Sequence, residues 1–381
     1  MPAVLRVPKS SPTWILASAS QIAALARSGT AWTNMKAHAD ETLTGVKLWD
    51  PTDRTSTKIL ACALVSAGYK YIATVDPTTA ETYRAKCQAA LELVPPQLTA
   101  GPFYGDTIHG IARNITPLVL AADIIGWDDD TKLATFEGFC ATLLGTIPEE
   151  DPDADPAVEF DAFVAGDGLS IPATHERFAD ANGTYAGAAR VALSLFLRDR
   201  THLSRADKVW QGWMGNTSQY NGFTFGGSRI DLTWQDDPAA PRGINPVDAE
   251  SNDGLARDFD GIIPDSQRDA GTYPTKWLSK SDEPFNALQG AVATAIMLSR
   301  SRYKAWEYSS DAIKRAVAWL DAVNTQEFDD SVNGGDDAWM AWVIDSVYST
   351  TYVSSQSITN PTTPGKCLSY TDWLTANANW P

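Results

Sequence analysis

Between residues 174 and 185 the chain reads THERFADANGTY, and several side chains able to do chemistry fall close together. Asn182 and Tyr185 are three residues apart, so on a helix they share a face. An Asn amide donates hydrogen bonds without carrying charge. A Tyr hydroxyl in a suitable site can give or take a proton. His175, of the type that titrates near neutrality, and Arg177 flank Glu176 in the segment before. Arg113 and Asn114 open an apolar stretch after His109, which suits a cleft wall because helix N-termini favour anions. Arg268, in PDSQRDAGTY, can hold a carboxylate in a two-pronged grip, and Tyr273 follows five residues later. Each residue also has a plainer reading. Asn182 could be a helix N-cap, and Tyr185 a core tyrosine. His175 could be an ordinary exposed histidine. Arg113 with Asn114 could be an ion pair and a cap, and Arg268 could pair with Asp265 or Asp269.

Flat aromatic faces are what sugar rings pack against. The chain has 14 Trp. Trp234, Tyr220, Trp277 and Trp339 sit in or next to irregular segments and are the better candidates for stacking platforms, while the other Trp residues fill the core. A second chemistry needs two carboxylates across a cleft, one with a raised pKa. Asp265 with Asp336 or Asp337, or Glu176, would supply such a pair. Other chemistries are quiet, with no GxSxG elbow, phosphate-binding loop or HExxH. Cys62, Cys87, Cys140 and Cys367 match no zinc spacing, and those in apolar helical stretches are expected as buried thiols. No metal and no cofactor is implied.

The elements that must position these groups are helical. Apolar spacing predicts helices over Ser56–Gly68, Ala80–Val94, Arg113–Trp127 (with Pro117 in its first turn), Thr131–Leu144 and Asn182–Asp199. Further helices are expected at Ser204–Trp213, Asn286–Ser301, Ser310–Asn324 and Asp336–Val347. Residues 216–274 are rich in Gly, Asp, Pro and Asn, and a loop this long in a compact domain is usually functional. Strand signals are few. The expectation is one all-α domain over 1–381, built of antiparallel helical hairpins, with 350–381 a polar tail wrapping its surface.

A chain of 381 residues can bury a large core without disulfides or metals. The net charge of −17 argues against nucleic-acid binding, which leaves a basic footprint. It also sits uneasily with a polyanionic ligand, unless a local basic cleft exists. The acidic residues of 149–161 and 236–269 read first as solvated loops. No run of about 18 apolar residues is evident, so no membrane span is expected. No secretory leader is visible in the opening residues, so none is expected there. Location outside a cell or on a virion fits, and the sequence leaves the cytoplasm open.

Three stretches resemble the alginate-lyase-like family of polysaccharide lyases. They are THERFADANGTYAGAARVALSLFLRD, DGIIPDSQRDAGTY with the following NALQGAVATA, and GDDAWMAWVIDSVYSTTY. The opening SPTWILASASQIAALARSGTAW and ARNITPLVLAADII look similar as well, so the likeness covers most of the chain. It implies an incomplete (α/α) toroid with a deep cleft between long loops, and β-elimination at a uronic acid in an anionic polysaccharide. It implies that Asn182, with Arg268 or His175, neutralises the uronate carboxylate. Tyr185, His175 or Tyr273 would act as base and acid, with Arg113, Asn114 and Arg177 beside the substrate. The C5 proton of a uronate is weakly acidic until preorganised donors neutralise its carboxylate, which is why such residue types recur. Relatives often carry His where this chain has Tyr185, which leaves open a glycan-binding or virion protein that keeps the fold without the reaction. A hydrolase built on paired carboxylates is the other alternative.

Overall fold

The computed structural model describes residues 13–98, 105–146, 170–223, 234–238, 242–251, 253–266, 283–324, 337–358, 368–377 and 380–381. Arg268, Tyr273, Trp277, Asp336 and Cys367 lie outside them, as does the acidic stretch 149–161. The described residues form helices and connecting loops with no strand; the antiparallel contact Glu250–Asp258 is an isolated bridge.

Helix α1 is Ala19–Ala24, α2 Thr30–Asp40, α3 Arg54–Ala73 and α4 Pro77–Glu92, followed by a short 3-10 turn at Pro95–Gln97. Next come α5 Gly105–Ile125, α6 Asp130–Leu144, α7 Ile171–Arg177, α8 Ala181–Leu197 and α9 Arg200–Trp213. Then come α10 Glu283–Arg300, α11 Tyr308–Asn324 and α12 Trp339–Tyr348, with single turns α13 Tyr352–Ser355 and α14 Thr371–Leu374. The chain starts many of these helices the same way. Asp53, Asp76, Asp129, Asp180 and Asp199 cap α3, α4, α6, α8 and α9, each carboxylate accepting a first-turn N–H. A capping Asp satisfies an orphan donor and complements the helix dipole, so part of the chain's acidity is used to define helix starts.

Among the described residues four helices pack in succession at the centre. Helix α8 packs on α5 and α10, and α5 packs on α3. The α8–α10 approach is close. A Cβ on Gly290 would stand 2.5 Å from the Thr184 carbonyl carbon and the Tyr185 amide nitrogen, so only glycine lets α10 seat there. The buried core runs from Ile15 to Trp380.

Three expectations are corrected. Helix α5 begins at Gly105, so Pro117 lies inside it and not in its first turn, and Arg113 and Asn114 are mid-helix and not at an N-terminus. The Pro117 ring denies the Arg113 carbonyl its usual helical partner. Residues Thr107–Ile125 are also long and apolar enough to cross a membrane, contrary to the sequence reading. However, 94% of that window is buried inside the protein, as befits a central helix. The tail does not simply wrap the surface. Leu368, Tyr370, Trp373 and Trp380 are buried, Trp373 Nε1 donates to the Ala26 carbonyl, and Trp380 Nε1 donates to that of Leu16. Aromatic side chains anchor it to the N-terminal helices. Cys62, Cys87 and Cys140 are buried free thiols, as expected.

A buried ion cluster joins α7, α8 and α9. Arg190 Nη1 donates to Glu176 Oε1 at 2.7 Å, and Arg205 Nη2 donates to Oε2 at 2.8 Å. Arg190 has no exposed surface. Glu176→Ala strands that charge and is expected to cost about 3–5 kcal/mol in urea denaturation. A loss below about 1 kcal/mol, the scale of an exposed pair, would contradict this account of the cluster.

Candidate functional site

The first turn of α8 meets α5 and α10 at a chain of polar side chains. Asp180 is its cap: Oδ1 accepts from the Asn182 amide nitrogen at 2.8 Å and the Gly183 nitrogen at 3.3 Å. The other oxygen, Oδ2, accepts from Asn182 Nδ2 at 2.9 Å. Asn182 is therefore not the cap; it is held by the cap. That bond fixes the orientation of its amide and turns Oδ1 toward His109 of α5, whose Nδ1 stands 2.8 Å away. An amide oxygen only accepts, so His109 carries its proton on Nδ1. In the neutral ring, Nε2 is then the basic nitrogen.

Tyr185 lies behind this pair. Its ring meets the His109 imidazole edge-on, with centroids 5.2 Å apart and planes at 89°. Its hydroxyl donates to Asn286 Oδ1 at 2.8 Å, in the first turn of α10. Asn286 Nδ2 reaches Glu283 Oε2 at 3.4 Å. One further turn along α10, Gln289 Oε1 accepts from Trp339 Nε1 at 2.8 Å. His109 and Asn182 are half-buried, whereas Tyr185 is fully buried. The arrangement presents an imidazole of fixed tautomer at the surface, braced from behind by a tyrosine and from the side by an amide.

The structure places Asn182 and Tyr185 on the first turn of α8, each against His109. The Asn182 amide is engaged by Asp180 and His109, so it positions the imidazole. Tyr185 has no surface with which to touch a sugar, and its ring packs edge-on to His109. Sequence reasoning passed over His109, Asn286 and Glu283. His109 is 73 residues from Asn182, and no local spacing joins them.

Other expectations fall away on burial. His175 is packed under α8, and its Nε2 would lie 2.8 Å from a Cβ on Gly187. It lines a small, largely apolar recess with Phe178, Trp210, Trp213 and Phe223, and cannot meet a polymer. Burial, followed by the nearby Arg190 and Arg205, pushes its pKa well below the usual value. Glu176 is committed to two arginines and is no general acid. Three of the proposed platforms are core residues. Trp234 stacks on Phe259, Trp339 is bonded to Gln289, and Tyr220 donates to the Glu176 carbonyl and packs on Phe223. Arg177 closes α7, half-buried. Arg113 and Asn114 are buried on α5, with Asn114 Nδ2 donating to the Leu48 carbonyl at 3.0 Å. Among the described residues no group of three His, Cys, Asp or Glu could hold a metal ion.

Comparison with known protein families, with curated proteins and with solved structures finds no match to this chain.

The depressed pKa of His175 has a consequence for stability. In the unfolded chain the ring titrates near its ordinary value of about 6.5, while the folded protein keeps it neutral to lower pH. The unfolded state then binds the extra proton, so stability falls as pH drops below that value. Between pH 7 and about 5.5 the loss is expected to be roughly 1 kcal/mol, measured as the fall in urea-unfolding free energy. A His175→Asn variant should lack this part of the pH dependence. An identical pH profile in the variant would contradict the assignment.

Proposed function

We propose that the protein is a polysaccharide lyase that cleaves a uronic-acid-containing glycan by β-elimination. The carrying observation is the half-buried His109, whose Nδ1–H is fixed by Asn182 so that Nε2 is its basic nitrogen. The stretches resembling alginate-lyase-like enzymes support the same reading. They also support an (α/α) toroid arrangement of the helical hairpins, and action on polymers outside the cell or from a virion.

In this reading His109 Nε2 takes the C5 proton of the uronate. The C5–H electron pair becomes the C4–C5 double bond, and the C4–O bond breaks toward the leaving sugar. That oxygen takes a proton from water, and the protonated His109 returns its own to solvent. Tyr185 is too deeply buried to supply it directly. Tyr273, which the resemblance assigns to this chemistry with Arg268, lies outside the described residues. Asn182 and Tyr185 are positioning residues: one sets the tautomer of the base, the other its tilt. Proton abstraction by a well-placed base is worth about 10²–10⁴ in rate.

The test is a panel of uronic-acid polysaccharides followed by the ultraviolet absorbance of the conjugated product. The wild type should generate it. His109→Ala should lose about 10²–10⁴ of the rate, as removal of a general base does. Asn182→Ala should also lower it and should move the pH profile, since the tautomer is no longer fixed. Tyr185→Phe removes one hydrogen bond and should cost roughly tenfold. Absence of the conjugated product, with new reducing ends in its place, would sink the lyase reading and favour paired carboxylates such as Asp265 and Asp337.

A further inference from the structure

Arg113 stands one turn beyond His109 on α5, about 6 Å along the helix axis. Its relative exposure is 9%, and neither Nε nor Nη2 has a hydrogen-bond partner among the described residues. That is costly: a buried charge without a partner is destabilising by several kcal/mol unless something else repays it. Arg190, buried still more deeply, has Glu176 on its Nη1. Arg113 has an aromatic ring instead, with Cζ 5.6 Å from the centroid of Trp49.

The loop between α2 and α3 is built to hold that ring. Leu43, Val46 and Leu48 bury their side chains. Gln97, from the 3-10 turn, clamps the backbone by donating to the Val46 carbonyl at 3.1 Å and accepting from the Leu48 nitrogen at 2.9 Å. Asn114, next to Arg113, donates to the Leu48 carbonyl. Trp49 is then laid against α5 at Gly110, where a Cβ would fall 2.0 Å from the ring. Arg54 sits with Cζ 5.7 Å from the same ring. The indole Nε1 is buried without an acceptor among the described residues, and so is Asn114 Oδ1 without a donor.

The two unpartnered atoms of Arg113 are informative together. Nε–H and one Nη2–H lie along the same edge of the guanidinium, the edge that meets both oxygens of a carboxylate in parallel hydrogen bonds. The half-buried Trp49 beside it offers a flat face of the kind sugar rings pack on.

We propose that Arg113 and Trp49 form a subsite for a saccharide bearing a carboxylate, with Arg113 gripping the carboxylate and Trp49 stacking on the ring. The proposal rests on the lyase reading and deepens it. It moves the neutralising cation from the loop around Arg268 to α5, beside the base. The Nε and Nη2 edge has no open surface, so engagement requires a local shift, and the fluorescence of the adjoining Trp49 should report it.

The experiment titrates the full-length protein with a tetrauronate and with the same oligosaccharide after carboxyl reduction, reading Trp fluorescence and calorimetric heat. The wild type should bind the charged form at least about tenfold more tightly than the reduced one. Arg113→Gln should abolish that preference, and Arg113→Lys should restore only part of it, because an ammonium lacks the fork. Trp49→Phe should weaken both ligands and remove the fluorescence change; it leaves Arg113 in place and serves if Arg113→Gln does not fold. Equal affinity for the two oligosaccharides, no binding of either, or unchanged charge preference in Arg113→Gln would each overturn the subsite. So would Trp49→Phe with unaltered affinities and fluorescence response. Binding with this pattern but no elimination would uphold the subsite and sink the lyase. Elimination undiminished in Arg113→Gln would uphold the lyase and sink the subsite.

Discussion

Helix α8 lies against α10 where Gly290 leaves no room for a side chain, and it carries Gly187 over the His175 ring in the same manner. Close backbone approach of this kind is what the small residues of α8 provide, and the placement of the candidate site follows from it. With α10 seated at Thr184 and Tyr185, the Tyr185 hydroxyl reaches Asn286. With α5 packed on the adjoining face, its ring meets His109. Bulkier residues at these positions would push the helices apart and separate groups that must lie within hydrogen-bond reach. Interiors packed to crystal-like density transmit such shifts and do not absorb them.

The electrostatics divide into settled and unsettled charge. The capping aspartates are settled by helix N-termini, and Glu176 by two arginines. Asp180 does two things at once: one oxygen caps α8 and the other orients the Asn182 amide, so the helix start and the His109 tautomer are set by a single carboxylate. Arg113 is the unsettled case, a cation buried against Trp49 without an anion among the described residues. In a protein of net charge −17 this buried cation stands one turn from His109, and under the proposed function it would meet an anionic ligand locally.

Helix positions were readable because apolar spacing is a local property. The expected Thr131–Leu144 is observed as Asp130–Leu144, and the expected Asn286–Ser301 as Glu283–Arg300. The expected helix began at Arg113, whereas α5 starts at Gly105, and Gly110 within it admits Trp49. Asn182 and Tyr185 were found from their spacing and from the resemblance, but their partners were not. A cap at Asp180 and a partner at His109 appear only when separate helices are brought together. The platforms failed for a related reason: Trp234 and Trp339 sit in or beside irregular sequence, and irregular sequence can still be buried. Trp49 escaped notice because nothing near it in the chain mentions Arg113.

The most direct measurement of the central claim is to digest a uronic-acid polysaccharide in ¹⁸O-labelled water and examine the new chain ends by mass spectrometry and NMR. Elimination with His109 as base predicts ends with a C4–C5 double bond and no label, and their loss in His109→Ala. Saturated new non-reducing ends, without the C4–C5 double bond, would show that water attacked the glycosidic carbon, and would contradict the account. An intact polymer across every uronate tested would contradict it as well.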